Sequence, residues 1–371
     1  MPTSLPARRR SRTAAATALL TAAALLTVTP AHADTGPGAQ AAAAPSAPSA
    51  LADGFGLTQV GAPEVRSATD FTITVTTPQL AGTHKIRIFL PSGYADSPTR
   101  RWPVAYFLHG AAGNPDDAAA APALHNDSMI TVAPDGGLKG WYANWVMQNT
   151  VLGAANWRTF HLDQVIPFID ANLRTLADRS HRAVVGLSMG GYGALRYAEN
   201  RPDLFGHTAA LSGGIDFGMG VIRGAVVATE LNLPGAMCGA STSTVPGTGA
   251  CTVDGPVVDS DAIFGSPYPV LGADRIWNEV DPAAPANLAR LAGTGITLYT
   301  GNNDPIDFFT EGASNTVKAR LDQLGIPSRY VDYTNGSALS PTCNGGHNYG
   351  CWAPAVADYI PHLQAAFAAA G

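Results

Sequence analysis

Charge is scarce in this chain: Asp, Glu, Lys and Arg together make up 13% of its 371 residues, and the net charge is −6. Beyond Arg8, Arg9, Arg10 and Arg12 there is no basic run, which argues against nucleic acid and anionic membrane as partners. Cysteine is scarce too, with four residues and no Cys-x-x-Cys spacing, so no metal site is expected. There are no internal repeats. The long apolar run, from Ala14 to about Val28, is too short and too alanine-rich for a membrane span, and no stable membrane insertion is expected.

What is present begins with a targeting pattern. The arginines form a positive n-region, the apolar run follows, and Ala31-His32-Ala33 resembles a signal peptidase site. Cleavage after Ala33 is the expectation, giving a secreted, extracellular chain that is more acidic still. Whether export runs by the Sec or the twin-arginine route stays open. Residues 34–54, rich in Ala and Pro, read as a linker, and residues 55–371 as one large α/β domain. Residues 217–277 read as an irregular, cap-like insertion. In the secreted portion Cys238, Cys251, Cys343 and Cys351 imply two disulfides. Three connectivities exist, and the local one, Cys238 with Cys251 and Cys343 with Cys351, closes short loops.

The stretch from His181 to Gly193 organises the rest. Val184 and Val185 read as a buried strand, and a helical spacing starts behind Gly190. Between them lies Gly186-Leu187-Ser188-Met189-Gly190, the Gly-x-Ser-x-Gly of a strand-to-helix turn that raises a serine hydroxyl above a sheet. The strand Pro103–Leu108 runs into His109-Gly110-Ala111-Ala112-Gly113, and the N–H of Ala111 pairs with that of Met189 as the candidate oxyanion donors. Other strands are read at 71–76, 85–90, 129–133, 207–212, 296–300 and 328–333. Helices are read from Trp157 to about Leu173, up to about Leu324, and at the C-terminus.

Serine needs a base, and an imidazole oriented by an acid supplies one near neutral pH. Among the nine histidines, His347 stands out because Gly345-Gly346 places it in a loop before the last helix. His109 is the rival, but it sits at the oxyanion turn. The acid follows the strand at 296–300. Asp304 and Asp307 are weighted equally, with Glu311 well behind; the one not used as the acid is expected to cap the following helix. The order serine, acid, histidine is that of α/β hydrolases.

From about Arg87 to Leu363 the chain resembles the esterase group that includes the antigen 85 mycolyltransferases, esterase D-type S-formylglutathione hydrolases and feruloyl esterases. The resemblance rests on Gly186-Leu187-Ser188-Met189, Val132-Ala133-Pro134 with Gly136-Gly137, Tyr142-Ala143-Asn144-Trp145, Trp157-Arg158-Thr159-Phe160, Gly301-Asn302 and Gly346-His347. It implies an α/β-hydrolase three-layer sandwich, with a mostly parallel central sheet and helices on both faces. It also implies cofactor-free acyl chemistry on a small-molecule or lipid ester, carried by Ser188, His347 and the two amides. The family splits over the acid: esterase D-like members put it near Asp304, mycolyltransferases closer to Asp307. Mycolyltransferases carry Asp and Arg around the oxyanion turn where this chain has His109 and Ala112, and Ser-Trp after the histidine where it has Asn348-Tyr349. Water is therefore the simpler acceptor. The expected function is a secreted serine carboxylesterase. The alternatives are an acyltransferase with an alcohol or sugar acceptor and a non-catalytic binding protein on the same fold. The sequence is silent on oligomeric state.

Overall fold

The computed structural model describes residues 50–233 and 256–371. Cys238 and Cys251 lie outside the described residues. So do the targeting segment and residues 34–49 of the linker.

Ten strands are described: β1 (Thr58–Gln59), β2 (Glu64–Ser67), β3 (Asp70–Thr77), β4 (Leu80–Phe89), β5 (Val104–Leu108), β6 (Ile130–Pro134), β7 (Arg182–Leu187), β8 (His207–Leu211), β9 (Gly295–Gly301) and β10 (Ser328–Thr334). They form one sheet in the order β1-β3-β4-β6-β5-β7-β8-β9-β10, with β2 on β3. The β3–β4 and β4–β6 pairs are antiparallel, and every pair from β6 to β10 is parallel. The alternation in β3 buries Phe71, Ile73 and Val75, which set the register by facing Ile88, Ile86 and His84 of β4. The central β5 and β7 are buried at every position, and apart from Arg182 at the start of β7 they are the near-continuous apolar runs of a parallel sheet. The sheet is thus the mostly parallel one expected. β4, however, begins five residues before the expected start at Lys85. Its first half, Ala81-Gly82-Thr83, is exposed and has no apolar alternation to announce it.

Eight α-helices are described: α1 (Trp157–Thr159), α2 (Ile166–Asn172), α3 (Met189–Asn200), α4 (Gly220–Glu230), α5 (Arg275–Val280), α6 (Pro285–Leu288), α7 (Pro305–Gln323) and α8 (Tyr349–Ala370). The single helix expected from Trp157 contains a π-helical stretch at Phe160–Val165. Pro167 has no N–H to give to the carbonyl four residues back, and the wider turn lies beside it. α8 carries Pro354 and Pro361 inside. The Gly350 carbonyl that Pro354 cannot serve accepts from Thr342 Oγ1 at 3.3 Å. Residues 217–277, expected to be irregular, contain α4 and the start of α5. Gly220, Gly224 and the β-branched valines of α4 are poor helix formers, so packing rather than propensity makes this helix. Among the described residues, no helix is long and apolar enough to cross a membrane.

Candidate active site

The turn after β7 is built from contacts that only glycine permits. A Cβ on Gly186 would lie 2.0 Å from the carbonyl oxygen of Gly190, and one on Gly190 2.0 Å from that of Leu108. The start of α3 can therefore press against the ends of β7 and β5. Ser188, between them, is held at φ 55° and ψ −121°, a left-handed conformation that costs a non-glycine residue about 1–3 kcal/mol. Ala112, Trp141, Tyr142 and Ser212 also have positive φ. Strain of this kind, gathered at one end of the sheet, points to a working site.

Three expected residues meet there. His347 Nε2 lies 2.8 Å from Ser188 Oγ, and His347 Nδ1 lies 2.7 Å from Asp307 Oδ1. All three side chains are buried, so water does not compete for these bonds. Asp304 stands differently. Its Oδ1 accepts from the N–H groups of Ile306 and Asp307, capping α7, and its Oδ2 accepts from the His347 backbone N–H at 2.5 Å. It touches the main chain of His347, not the ring. Glu311 accepts from Asn302 Nδ2 at 3.0 Å. A disulfide joins Cys343 to Cys351, bracketing the His347 loop, and both sulfurs accept from the Gly345 N–H.

Four further residues at the site were not among those expected from the sequence. Ser212 Oγ donates to Asp307 Oδ2 at 3.1 Å and accepts from Trp352 Nε1 at 3.2 Å. Thr310 Oγ1 donates to Asp307 Oδ1 at 3.1 Å. Tyr333 lies 3.3 Å from Ser212 Oγ, and burial, with Asp307 next in effect, pushes its hydroxyl above its ordinary pKa. Trp352 also packs edge-on to the imidazole, with ring centroids 4.8 Å apart. A lone Ser, Thr, Tyr or Trp makes no pattern in one dimension. The strand end of Ser212 and the i+3 spacing of Thr310 from Asp307 were the available hints.

Across the cleft, Gly110 comes so close that a Cβ on it would sit 3.3 Å from the Ser188 Cβ. This brings the turn carrying Ala111 to the serine, and Ala111 and Met189 are both fully buried. His109 is committed elsewhere: Nδ1 donates to the Gly110 carbonyl at 2.7 Å and Nε2 accepts from the Gly136 N–H at 2.8 Å. Its own carbonyl accepts from the Tyr142 hydroxyl. Trp141 lines the cavity next to Ser188. Tyr142 is packed beneath, against Gly136 and Gly193. The cavity holds about 340 Å³ and reaches both Ser188 and His347, at the small end of the range for ligand sites, about 300–1,000 Å³.

The Esterase family model matches residues 77–363 of this chain. Esterase Rv1288 of Mycobacterium tuberculosis (strain H37Rv) is 31% identical over 272 residues, which are 69% of this chain and 53% of that protein. The chain therefore spans about half the length of that relative. The MPT51/MPB51 antigen of the same organism is 28% identical over 235 residues, 62% of this chain and 67% of the antigen. The crystal structure of Mycobacterium tuberculosis MPT51 superposes with a TM-score of 0.58 at 22% identity, over 79% of this chain and 97% of the other, a likeness of fold.

Proposed function

The chain belongs to the Esterase family, and from that premise we propose that it is a secreted serine carboxylesterase acting through an acyl-serine intermediate. The observation that carries the reading is the buried line from Ser188 Oγ through His347 to Asp307 at 2.8 and 2.7 Å, opening on a cavity. Ser188 Oγ forms a bond to the ester carbonyl carbon as His347 Nε2 takes its proton. Asp307 holds the Nδ1–H tautomer and stabilises the imidazolium. The N–H groups of Ala111 and Met189 receive the oxyanion. The C–O bond to the alcohol breaks, and the alkoxide leaves with the proton from His347. Water, deprotonated by the same imidazole, then attacks the acyl-serine and releases the acid. Asp304 acts as a positioning residue through the His347 backbone.

Water as the acceptor is supported by His109, which spends both ring nitrogens on backbone groups beside the oxyanion turn and has neither left to orient an incoming sugar. Export is supported by the arginine-led N-terminal segment and by the disulfide. Hydrolysis of p-nitrophenyl esters from acetate to palmitate by the full chain, compared with Ser188→Ala, tests the reading. The expected loss is roughly a thousandfold or more, with Ser188 labelled by a fluorophosphonate. An added alcohol or sugar that diverts product into a new ester would instead indicate the transferase. A folded protein that neither hydrolyses nor labels would indicate a binding protein.

A further inference from the structure

The wall of the cavity beside Ser188 has a chemical character that the triad does not dictate. On α4, Val221, Gly224, Ala225 and Ala228 recur at i, i+3, i+4 and i+7 and so share one face. That face lines the cavity opposite Ile306 and Phe309 of α7. The polar groups in the lining are already engaged. Ser212 and Thr310 give their hydroxyl protons to Asp307, and Trp141 Nε1 donates to Thr229 Oγ1 at 2.9 Å. Apart from His347, no lining residue is ionisable. A phenol, carboxylate or ammonium on the acyl group would be buried there without a partner, a penalty of about tenfold to a hundredfold in affinity.

Volume sets the size. A dry apolar cavity of about 150 Å³ takes up benzene, six carbons. The 340 Å³ here corresponds on the same scale to roughly fourteen carbons. Gly224 lines that space and is itself exposed. It lies inside α4, where glycine is unfavourable, and its backbone does not require it: an added Cβ meets nothing within 4 Å.

We propose that this cavity is the acyl pocket for uncharged, straight-chain aliphatic acyl groups of up to about fourteen carbons, and that the missing side chain of Gly224 sets that length. The proposal rests on the esterase reading of Ser188. The test compares p-nitrophenyl esters from acetate to palmitate, together with methyl ferulate and a succinate monoester, on the wild type, Gly224→Leu and Gly220→Leu. Gly220 opens the same helix, an added Cβ there also meets nothing within 4 Å, and it lies outside the cavity lining. In the wild type kcat/KM should rise about fourfold per methylene and level off near about fourteen carbons. Gly224→Leu should lower the decanoate-to-butyrate ratio of kcat/KM by tenfold or more, and Gly220→Leu should leave that ratio within twofold. Equal ratios in the two variants, or ferulate or succinate turned over as well as decanoate, would overturn the proposal. Decanol reads the pocket without turnover. If it raises the melting temperature of Ser188→Ala but not of Ser188→Ala with Gly224→Leu, the pocket stands even in a protein without esterase activity. Ester hydrolysis with a flat chain-length profile leaves the esterase reading and removes the pocket.

Discussion

The two aspartates at the head of α7 can be separated by one isosteric change at each. Asp307 is fully buried, and its oxygens are spoken for: Oδ1 by His347 and Thr310, Oδ2 by Ser212. In Asp307→Asn the amide has two ways to sit. With its NH₂ toward His347, the ring must accept at Nδ1 and present Nε2–H to Ser188, so the serine has no base. With its NH₂ toward Ser212 the tautomer survives, but the negative charge that stabilises the imidazolium is gone. Either way kcat should fall by about a hundredfold to ten-thousandfold. Asp304→Asn keeps a competent cap, since Asn and Asp are about equal there, but sets an amide against the His347 N–H. That costs about 1–3 kcal/mol of stability and should lower kcat by about tenfold at most, because the imidazole keeps both of its bonds. Steady-state hydrolysis of p-nitrophenyl butyrate, normalised by fluorophosphonate titration of Ser188, measures the first effect, and thermal melting the second. If Asp304→Asn loses more kcat than Asp307→Asn while both stay folded, the assignment of the acid is wrong.

Removing the Cys343–Cys351 disulfide, which spans eight residues, should cost about 2–3 kcal/mol by the chain-entropy estimate and lower turnover, because it frames His347. Unchanged turnover after verified reduction would refute the link. Glu230 is wholly buried, Oε1 accepts from the Ile263 N–H, and Oε2 has no partner among the described residues. Burial raises its pKa from 4.5 to about 8. With the folded pKa above the unfolded one, the folded state binds more protons across that window, so this group's contribution to stability is present below about pH 4.5 and is lost as pH rises toward 8. Glu230→Gln cannot ionise and should lose less stability than the wild type between pH 5 and pH 8, read from urea unfolding at each pH. Parallel behaviour of the two proteins would count against it.

The sheet and the elbow were legible because both are periodic signals. β5 and β7 are apolar at nearly every position, and the glycines around Ser188 mark a close approach that no other residue allows. His347 was legible because two glycines free its loop. The choice between Asp304 and Asp307 was not, since chain order puts both at the same helix start. What separates them is that Asp304 turns its carboxylate back on its own helix while Asp307 aims inward, a matter of χ angles rather than of spacing. α4 escaped notice because a helix face of Val, Gly and Ala resembles a loop of small residues until another helix packs opposite it. Ser212 and Thr310 escaped because their role is to complete the hydrogen bonding of a residue far away in the chain.

The glycines at 186 and 190 have a bearing on how such motifs are read across lineages. Their steric duty is owed to the backbones of β5 and α3 whether or not any ester is ever cleaved. A descendant that abandoned the chemistry would be free to lose the hydroxyl of Ser188 and relax its left-handed turn, yet it would still be held to both glycines by packing. The outer letters of Gly-x-Ser-x-Gly thus answer to the packing of the turn, and only the middle letter answers to the chemistry proposed for it.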